Sequence, residues 1–269
     1  MEASLSKHQQ KAGTGVEKLA RAGYATKGAV YCILGVISVQ AAFSGGSATG
    51  SQGAVKTIGQ QPFGQVLLVL TAVGLAGYAL WQFVRAAIDP ENKGSDKEGI
   101  AKRVGYAFSG LSHSALCVLA VQMVTGSSSG GSKRTYLGEL MAQTGGQVAV
   151  GALGLFVIAA GVHQLIKAKT TEFKKELKFG QMSSEVRKLA ITSGRIGLAA
   201  RGVVFPIMGV YLIKAALSSD PSEAKGVGGA LQEISSSTFG TTMLAVVAAG
   251  LVAYGVYQFV LAKYRRISV

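Results

Sequence analysis

The chain has 269 residues, of which 49% are apolar and only 15% are charged, and its formal net charge is +14. A soluble domain normally carries about 25% charged residues. The composition therefore argues against a soluble domain, and the grouping of the charges into short stretches indicates a membrane protein.

Six windows are almost free of charge: 24–43, 64–84, 104–125, 146–166, 197–217 and 240–262. About 20 apolar residues in a helix cross the ~30 Å hydrocarbon core of a bilayer. The windows do not alternate between apolar and polar residues, as barrel strands do. The sequence predicts an all-α integral membrane protein with six transmembrane helices. The first is an uncleaved signal anchor, because a polar segment precedes it and it carries one copy of a repeat.

The odd-numbered spans open with a repeated pattern, Arg-x-Gly-x-x-x-base-Gly, followed by a ring. The arginines are Arg21, Arg103 and Arg195; the base is Lys27 or Arg201, with Ser109 in the middle copy; the rings are Tyr31, His113 and Phe205. The even-numbered spans end in a ring and a glutamine: Trp81-Gln82, His163-Gln164 and Tyr257-Gln258. Each repeat is a two-span hairpin, so three parallel hairpins are expected in a pseudo-threefold arrangement.

The repeats divide the chain into six segments. We expect an N-terminal tail over 1–17, hairpins over 18–88, 100–167 and 192–263, a linker over 168–191, and a basic tail over 264–269. Most of the 27 Lys and Arg residues lie in the tails and in the connections between hairpins. This asymmetry predicts that both termini are cytoplasmic, and that the charge serves orientation and contact with anionic lipids, not nucleic acid.

The connections within hairpins open with Gly/Ser-rich stretches, 44–50, 126–131 and 218–221, which are typical of flexible linkers. Apolar pairs three residues apart follow and indicate short helices at the outer interface: Val55/Ile58, Leu137/Leu140 and Leu231/Ile234. The 168–191 linker sets Phe173 and Leu177 among lysines, which favours a segment lying on the inner leaflet or a docking site for a cytosolic partner.

Catalytic and cofactor sites are not indicated. All 13 acidic residues lie outside the six windows, and Gly126–Gly130 matches G-x-S-x-G without the strand and helix that a nucleophile elbow needs. Cys32 and Cys117 are expected to be packing residues without metal-binding spacing. His113 and His163 differ in depth by about 8 Å at ~1.5 Å per residue. A haem pair or a proton relay is therefore less favoured than two rings in aromatic positions. The sequence predicts no enzyme and no cofactor.

Two polar sets remain as candidate sites. Gln82, Gln164 and Gln258 either tie neighbouring helices together or form a polar ring at the cytoplasmic mouth. The basic residues Arg21, Lys27, Arg103, Arg195 and Arg201 either reach lipid phosphates by snorkelling, the favoured interpretation, or line a basic vestibule. The layers that differ between copies, Lys27/Ser109/Arg201 and Tyr31/His113/Phe205, are where a specific function is expected.

The opening pattern, the Phe-Gly before the even spans, and the endings Tyr78–Gln82 and Tyr254–Gln258 resemble a bacterial integral membrane family known as domain of unknown function 1206. The middle copy departs at Ser109 and at Ala160, which replaces the tyrosine. The resemblance implies three tandem two-span repeats in a bacterial plasma membrane and carries no activity. From the residues, a structural or interaction subunit of a membrane complex is expected. The alternatives are a solute or ion pore along the axis and, less favoured, a haem or pigment carrier.

Overall fold

A computed structural model describes residues 2–44, 48–127 and 133–267, and within these ranges the side chains of 2–13 and 133–136 are left out. Six long helices run through the described part: α1 Glu2–Ser44, α3 Gly64–Ala87, α4 Lys97–Thr125, α6 Gly146–Thr170, α7 Ser184–Ser218 and α9 Gly240–Tyr264. Three short ones lie between them: α2 Ser51–Gly59, α5 Lys133–Ala142 and α8 Val227–Ser235. Each long helix is long and apolar enough to cross a membrane. The predicted all-α fold is therefore confirmed, with six candidate membrane-spanning helices. The sequence repeats group them into the hairpins α1/α3, α4/α6 and α7/α9.

The first helix of each hairpin, α1, α4 or α7, begins well before its apolar window. The 43-residue α1 starts at Glu2, so the predicted tail is continuous with the first span. Asp96 and Ser183 explain the early starts of α4 and α7, because their side chains accept hydrogen bonds from the backbone N–H groups of Gly99 and Val186. The predicted 168–191 linker therefore ends inside α7.

The long helices form a chain of close neighbours in the order α4, α3, α1, α9, α7, α6. The tightest pairs, α3 with α4, α1 with α9 and α6 with α7, each join two different hairpins. The first and last helices in this order, α4 and α6, meet through the rings of Phe108 and Phe156, whose centroids lie 6.2 Å apart. The six helices thus surround a common centre, and the middle hairpin is the loosest contact in the ring.

Small residues set the distance between hairpins at corresponding repeat positions. A Cβ on Gly35 would lie 2.8 Å from the carbonyl oxygen of Ala248, and one on Gly209 would lie 2.5 Å from that of Gly154. In the middle copy, the Cys117 thiol donates a 3.3 Å hydrogen bond to the carbonyl of Ala72. These contacts bring helix backbones together as small residues do in membrane bundles. Cys117 is a packing residue, as predicted.

The short helices cover one end of the bundle, which we call the loop-helix end. Val55 and Ile58 of α2 and Leu231 and Ile234 of α8 are buried, and Leu140 of α5 is exposed. The predicted short helices are confirmed, although their apolar faces turn inward to cover the bundle. Residues 45–47 and 128–132, and with them part of each of the first two Gly/Ser stretches and most of the G-x-S-x-G motif, lie outside the described residues. The third stretch runs into a 3-10 turn at Pro221–Glu223.

The opposite end, called the basic end, carries the connections between hairpins and the C-terminal tail. Within the predicted amphipathic linker over 168–191, the segment after α6 forms two 3-10 turns, Glu172–Glu176 and Phe179–Gln181. Phe173 and Leu177 are each 1% exposed and pack into the main core. The apolar side chains cover the end of the bundle, where burial in protein removes them from water more completely than a membrane surface would.

Candidate functional site

Lys27 of α1 lies inside the helix bundle. Its side chain is 4% exposed, and Nζ donates a 2.7 Å hydrogen bond to the hydroxyl of Tyr78 on α3. The ammonium also lies 4.4 Å from the centroid of the Tyr78 ring and 5.5 Å from that of Tyr254. These distances fit cation–π attraction. Because Lys27 is buried in the protein, it does not extend to the lipid phosphates as the favoured interpretation expected.

Arg201 occupies the same repeat position on α7 and repeats the arrangement. Its Nη1 donates a hydrogen bond to the hydroxyl of Tyr254, and its Cζ lies 4.5 Å from the centroids of both Tyr254 and Phe205 and 5.7 Å from that of Tyr31. Its Nε is buried without a hydrogen-bond partner. Both cations therefore border the Tyr254 ring from different hairpins. We call Lys27, Arg201 and the tyrosines Tyr31, Tyr78 and Tyr254 the cationic centre.

The middle hairpin lacks both members of this base–tyrosine pair. Ser109 stands where Lys27 and Arg201 stand, and Ala160 stands where the other hairpins have tyrosine. His113 of the same hairpin nevertheless borders the centre, with its ring centroid 4.5 Å from that of Tyr78. The two substitutions look independent in the sequence, but they are linked by the contact that the structure reveals in the other copies.

No carboxylate balances the two cations within the described part of the chain. Their described hydrogen bonds go to neutral tyrosine hydroxyls, and the acidic residues lie outside the apolar windows. A lysine or arginine inside a membrane span is rare because its charge is costly to bury, and such residues mark ion pathways or hold ligand charges. Two like charges at one centre repel each other. The centre therefore brings two basic side chains together beside neutral aromatic groups.

The three glutamines are buried, each with 9% exposure or less, and none of their described contacts joins one to another. The Oε1 of Gln82 accepts a 2.8 Å hydrogen bond from Arg85, one turn further along α3. The Oε1 atoms of Gln164 and Gln258 are buried without partners. The described contacts thus join no two of the three glutamines.

The opening arginines serve as helix caps at two of the three positions. Arg21 donates to the carbonyls of Ala262 and Lys263 at 2.9 and 2.8 Å, at the end of α9. Arg103 does the same at the end of α3, with the carbonyls of residues 86 and 87. A cation is favourable at a helix C-terminus, where carbonyls lack partners. Arg195, in contrast, is exposed on α7. None of these three lies at the cationic centre.

The predicted ring positions divide between the interior and the surface. Trp81 is fully buried, and its Nε1 donates a 3.2 Å hydrogen bond to Tyr24. Tyr257 packs against Phe173 with centroids 5.3 Å apart. His163 is exposed on the outside of α6, whereas His113 lies against Tyr78. The structure does not bring the two histidines together, so a shared haem has no geometric support.

A chain of ion pairs closes the basic end, and sequence reasoning missed it. It runs Arg85–Glu91–Arg265–Glu176–Lys167, with N–O distances of 2.9, 2.8, 2.7 and 2.8 Å. Burial alone would raise the pKa of Glu91, but Arg265 and Arg85 outweigh it and lower this pKa to about 2. Burial likewise opposes ionisation of Glu176, yet Lys167 and Arg265 hold its pKa well below the usual range. The network joins all three hairpins at one point.

These features define a class: an α-helical membrane protein made of three tandem hairpins, with two basic side chains in its interior. A family model described as Domain of Unknown Function (DUF1206) matches residues 22–89, 104–171 and 196–265, so the chain belongs to that family. It is also similar to an uncharacterized Bacillus subtilis protein, YxxB, with 31% identity over 265 residues that cover 98% of this chain and 96% of the relative. No solved structure matches the chain.

Proposed function

We propose that this protein is an anion carrier of a bacterial plasma membrane, and that Lys27 and Arg201 hold the anion inside the bilayer. One observation carries the proposal: two basic side chains meet within the apolar part of the bundle, and their described bonds go to neutral groups. An anion between them would neutralise charge where a bilayer does not tolerate it. The tyrosine hydroxyls would supply further donors.

The proposal includes a pseudo-threefold arrangement with both termini in the cytoplasm. The recurrent small-residue contacts at Gly35, Cys117 and Gly209 support the threefold arrangement, because the same packing joins each hairpin to its neighbour. The concentration of Lys and Arg in the tails and inter-hairpin connections supports the orientation, through the positive-inside rule. The basic end is then the cytoplasmic end.

A carrier is favoured over an open pore because large side chains are fully buried on both sides of the centre. Leu34, Leu231 and Leu244 are fully buried towards the loop-helix end. Towards the basic end lie Trp81, also fully buried, and the ion-pair chain. A protein of this kind moves its ligand by opening one side at a time. The described conformation corresponds to a state closed at both ends.

The test measures anion binding by thermal stabilisation of the purified protein in neutral detergent, with chloride, phosphate and acetate as probes. A ligand at about 100 times its Kd stabilises the folded state by about 2.7 kcal/mol. Lys27→Met and Arg201→Met should each weaken binding about 30-fold or more, since truncating one member of a buried charge pair costs roughly 2–5 kcal/mol. Arg195→Met is the matched control, because Arg195 is exposed on the same helix as Arg201.

Flux in proteoliposomes completes the test. The anion that stabilises the protein should exchange across the membrane in wild type and in the control, and not in Lys27→Met. Anion stabilisation that is unchanged in both centre variants would overturn the proposal. A structural role in a membrane complex is the second candidate, favoured by the ion-pair chain that ties three hairpins together. It predicts no anion stabilisation and no flux, with loss of stability when the chain is broken.

A further inference from the structure

The middle hairpin is open where the other two are closed. A Cβ on Gly23 would lie 2.5 Å from the backbone nitrogen of Tyr78, and one on Gly197 would lie 2.4 Å from the Cα of Tyr254. At the same repeat position, a Cβ on Gly105 would have Phe156 Cζ at 3.8 Å as its nearest neighbour. The backbones of α4 and α6 therefore remain apart, with the Phe156 ring between them, and we call this wider gap in the ring of helices the side opening.

Two substitutions explain the opening. Phe156 stands where the other hairpins have Gly74 and Gly250, which lie against α1 and α7 so closely that a Cβ would meet a side chain at 1.8 and 2.5 Å. A phenyl ring at this position holds the helices of the middle hairpin apart. Ala160 further removes the tyrosine that fills the corresponding space in the other two hairpins.

The side opening is polar on its α4 wall. Ser109 and Ser112 lie on the helix face that also carries Gly105 and Phe108, the residues nearest to α6. Ser112 is exposed, whereas Val30 and Val204 at the same repeat position are 2% and 1% exposed. An exposed serine at this depth in an apolar window suits an opening that admits a polar group.

The surface beside the opening is apolar. Leu111 on α4 and Leu155 on α6 are 64% and 63% exposed, and α4 is the least buried of the six long helices. The loop-helix end is covered by α2 and α8, and the basic end by the ion-pair chain. The side opening is thus the approach from which an alkyl chain could remain in lipid while its head group reaches the centre.

We propose that the opening between α4 and α6 is a lateral portal, through which the cationic centre takes an amphiphilic anion from the bilayer. The ligand has a carboxylate or phosphate head and an alkyl chain. The head lies between Lys27 and Arg201, and the chain leaves past Ser109 and Phe156. Arg201 is half-buried, and its Nε has no partner, which leaves a donor for the incoming head. This inference rests on the anion-carrier function and names its class of substrate.

The test uses full-length protein in phosphatidylcholine nanodiscs and a decanoate analogue with a diazirine at the end of its chain. Photolabelling should concentrate on α4 and α6 near Ser112 and Phe156. An excess of unlabelled decanoate or of phosphatidylglycerol should reduce the labelling. Competition by decanoate would identify a free carboxylate as the preferred head group. Competition by phosphatidylglycerol would identify a lipid phosphate. Labelling spread evenly over all the lipid-facing helices, or competed by neither compound, would overturn the portal.

Variants separate the portal from the centre. The double variant Phe156→Gly with Ala160→Tyr gives the middle hairpin the residues that the other two hairpins have at these positions. It should reduce labelling about tenfold or more, while stabilisation by acetate remains. Ser112→Val, which copies the neighbouring repeats without changing helix spacing, should also reduce labelling. Unchanged labelling in both the double variant and Ser112→Val would contradict the lateral portal and leave the anion-carrier function standing. Acetate stabilisation unchanged in Lys27→Met and Arg201→Met would instead refute the underlying carrier function.

Discussion

Arg265 Nη2 lies 2.8 Å from Glu91 Oε1, and this ion pair joins the end of α9 to the connection that leaves α3. The Arg265 side chain is 4% exposed, and its Nη1 binds Glu176 at 2.7 Å. One arginine therefore holds two carboxylates from two other parts of the chain. Because the charges are out of water, loss of one partner leaves the others uncompensated.

Glu91→Gln should destabilise the protein strongly. Breaking a buried ion pair from one side costs roughly 3–5 kcal/mol, because the remaining charge stays buried. The free energy of unfolding in detergent, from a denaturant titration followed by Trp81 fluorescence, measures the effect. Glu98→Gln is the control, since Glu98 pairs with Lys102 on the surface of α4 with 73% of its side chain exposed. Equal effects of the two changes would contradict a structural role for the chain of ion pairs.

Stability should fall as the pH falls through the acid range. The pKa of Glu91 is about 2 in the folded protein, below its usual value of 4.5, and that of Glu176 is also lowered. A lowered folded-state pKa contributes stability that is complete above the unfolded-state pKa and is lost on acidification towards the folded-state pKa. The midpoint of thermal unfolding should thus decline from about pH 5 downwards.

The matched variant for this pH dependence is Glu91→Gln, which lacks one of the two titrating groups. Its unfolding midpoint should be lower at neutral pH and should decline less between neutral and acidic pH than that of the wild type. Parallel curves for the two proteins would show that Glu91 does not carry the acid sensitivity. The sequence alone offered no sign of this network, because Glu91, Glu176 and Arg265 lie far apart along the chain and meet only in the folded state.

The hairpin glycines offer a matched pair of substitutions at one repeat position. Gly23→Ala should destabilise by about 1–3 kcal/mol, because its Cβ would meet the backbone of Tyr78 at 2.5 Å. Gly105→Ala has 3.8 Å of room and should be neutral or stabilising, since alanine favours helix over glycine by about 0.8–1 kcal/mol. The free energy of unfolding of each variant measures these effects. A similar loss of stability in both variants would contradict the wider spacing of the helices in the middle hairpin.

Repeat patterns predicted the spans, the hairpins and the short helices, because apolar length and glycine spacing act locally. They did not predict where Lys27 points. A lysine one turn and a half inside a span can extend to the surface or turn inward, and the choice depends on Tyr78 across the hairpin. The opening at Phe156 was also beyond the pattern, because a ring among apolar residues has the same hydropathy whether it fills a core or separates two helices.

The base–tyrosine pairs should couple within a hairpin and not between hairpins. Lys27 donates to the Tyr78 hydroxyl, whereas its described contact with Tyr254 is to the ring at 5.5 Å, and the Tyr254 hydroxyl accepts from Arg201. A hydrogen bond to a charged group contributes about 1.5–3 kcal/mol. A double-mutant cycle of Lys27→Met with Tyr78→Phe should therefore give a coupling energy of about 1 kcal/mol or more in the unfolding free energy.

The matched cycle pairs Lys27→Met with Tyr254→Phe, and its coupling should be clearly smaller, because the hydroxyl removed from Tyr254 bonds to Arg201 and not to Lys27. Repeating both cycles with a saturating anion links stability to function. If the anion lies between Lys27 and Arg201, its stabilising effect should be much smaller wherever Lys27 is replaced and should persist in Tyr78→Phe. Equal coupling in the two cycles would mean that the cations are not divided between hairpins, and the explanation for the paired loss at Ser109 and Ala160 would fail with it.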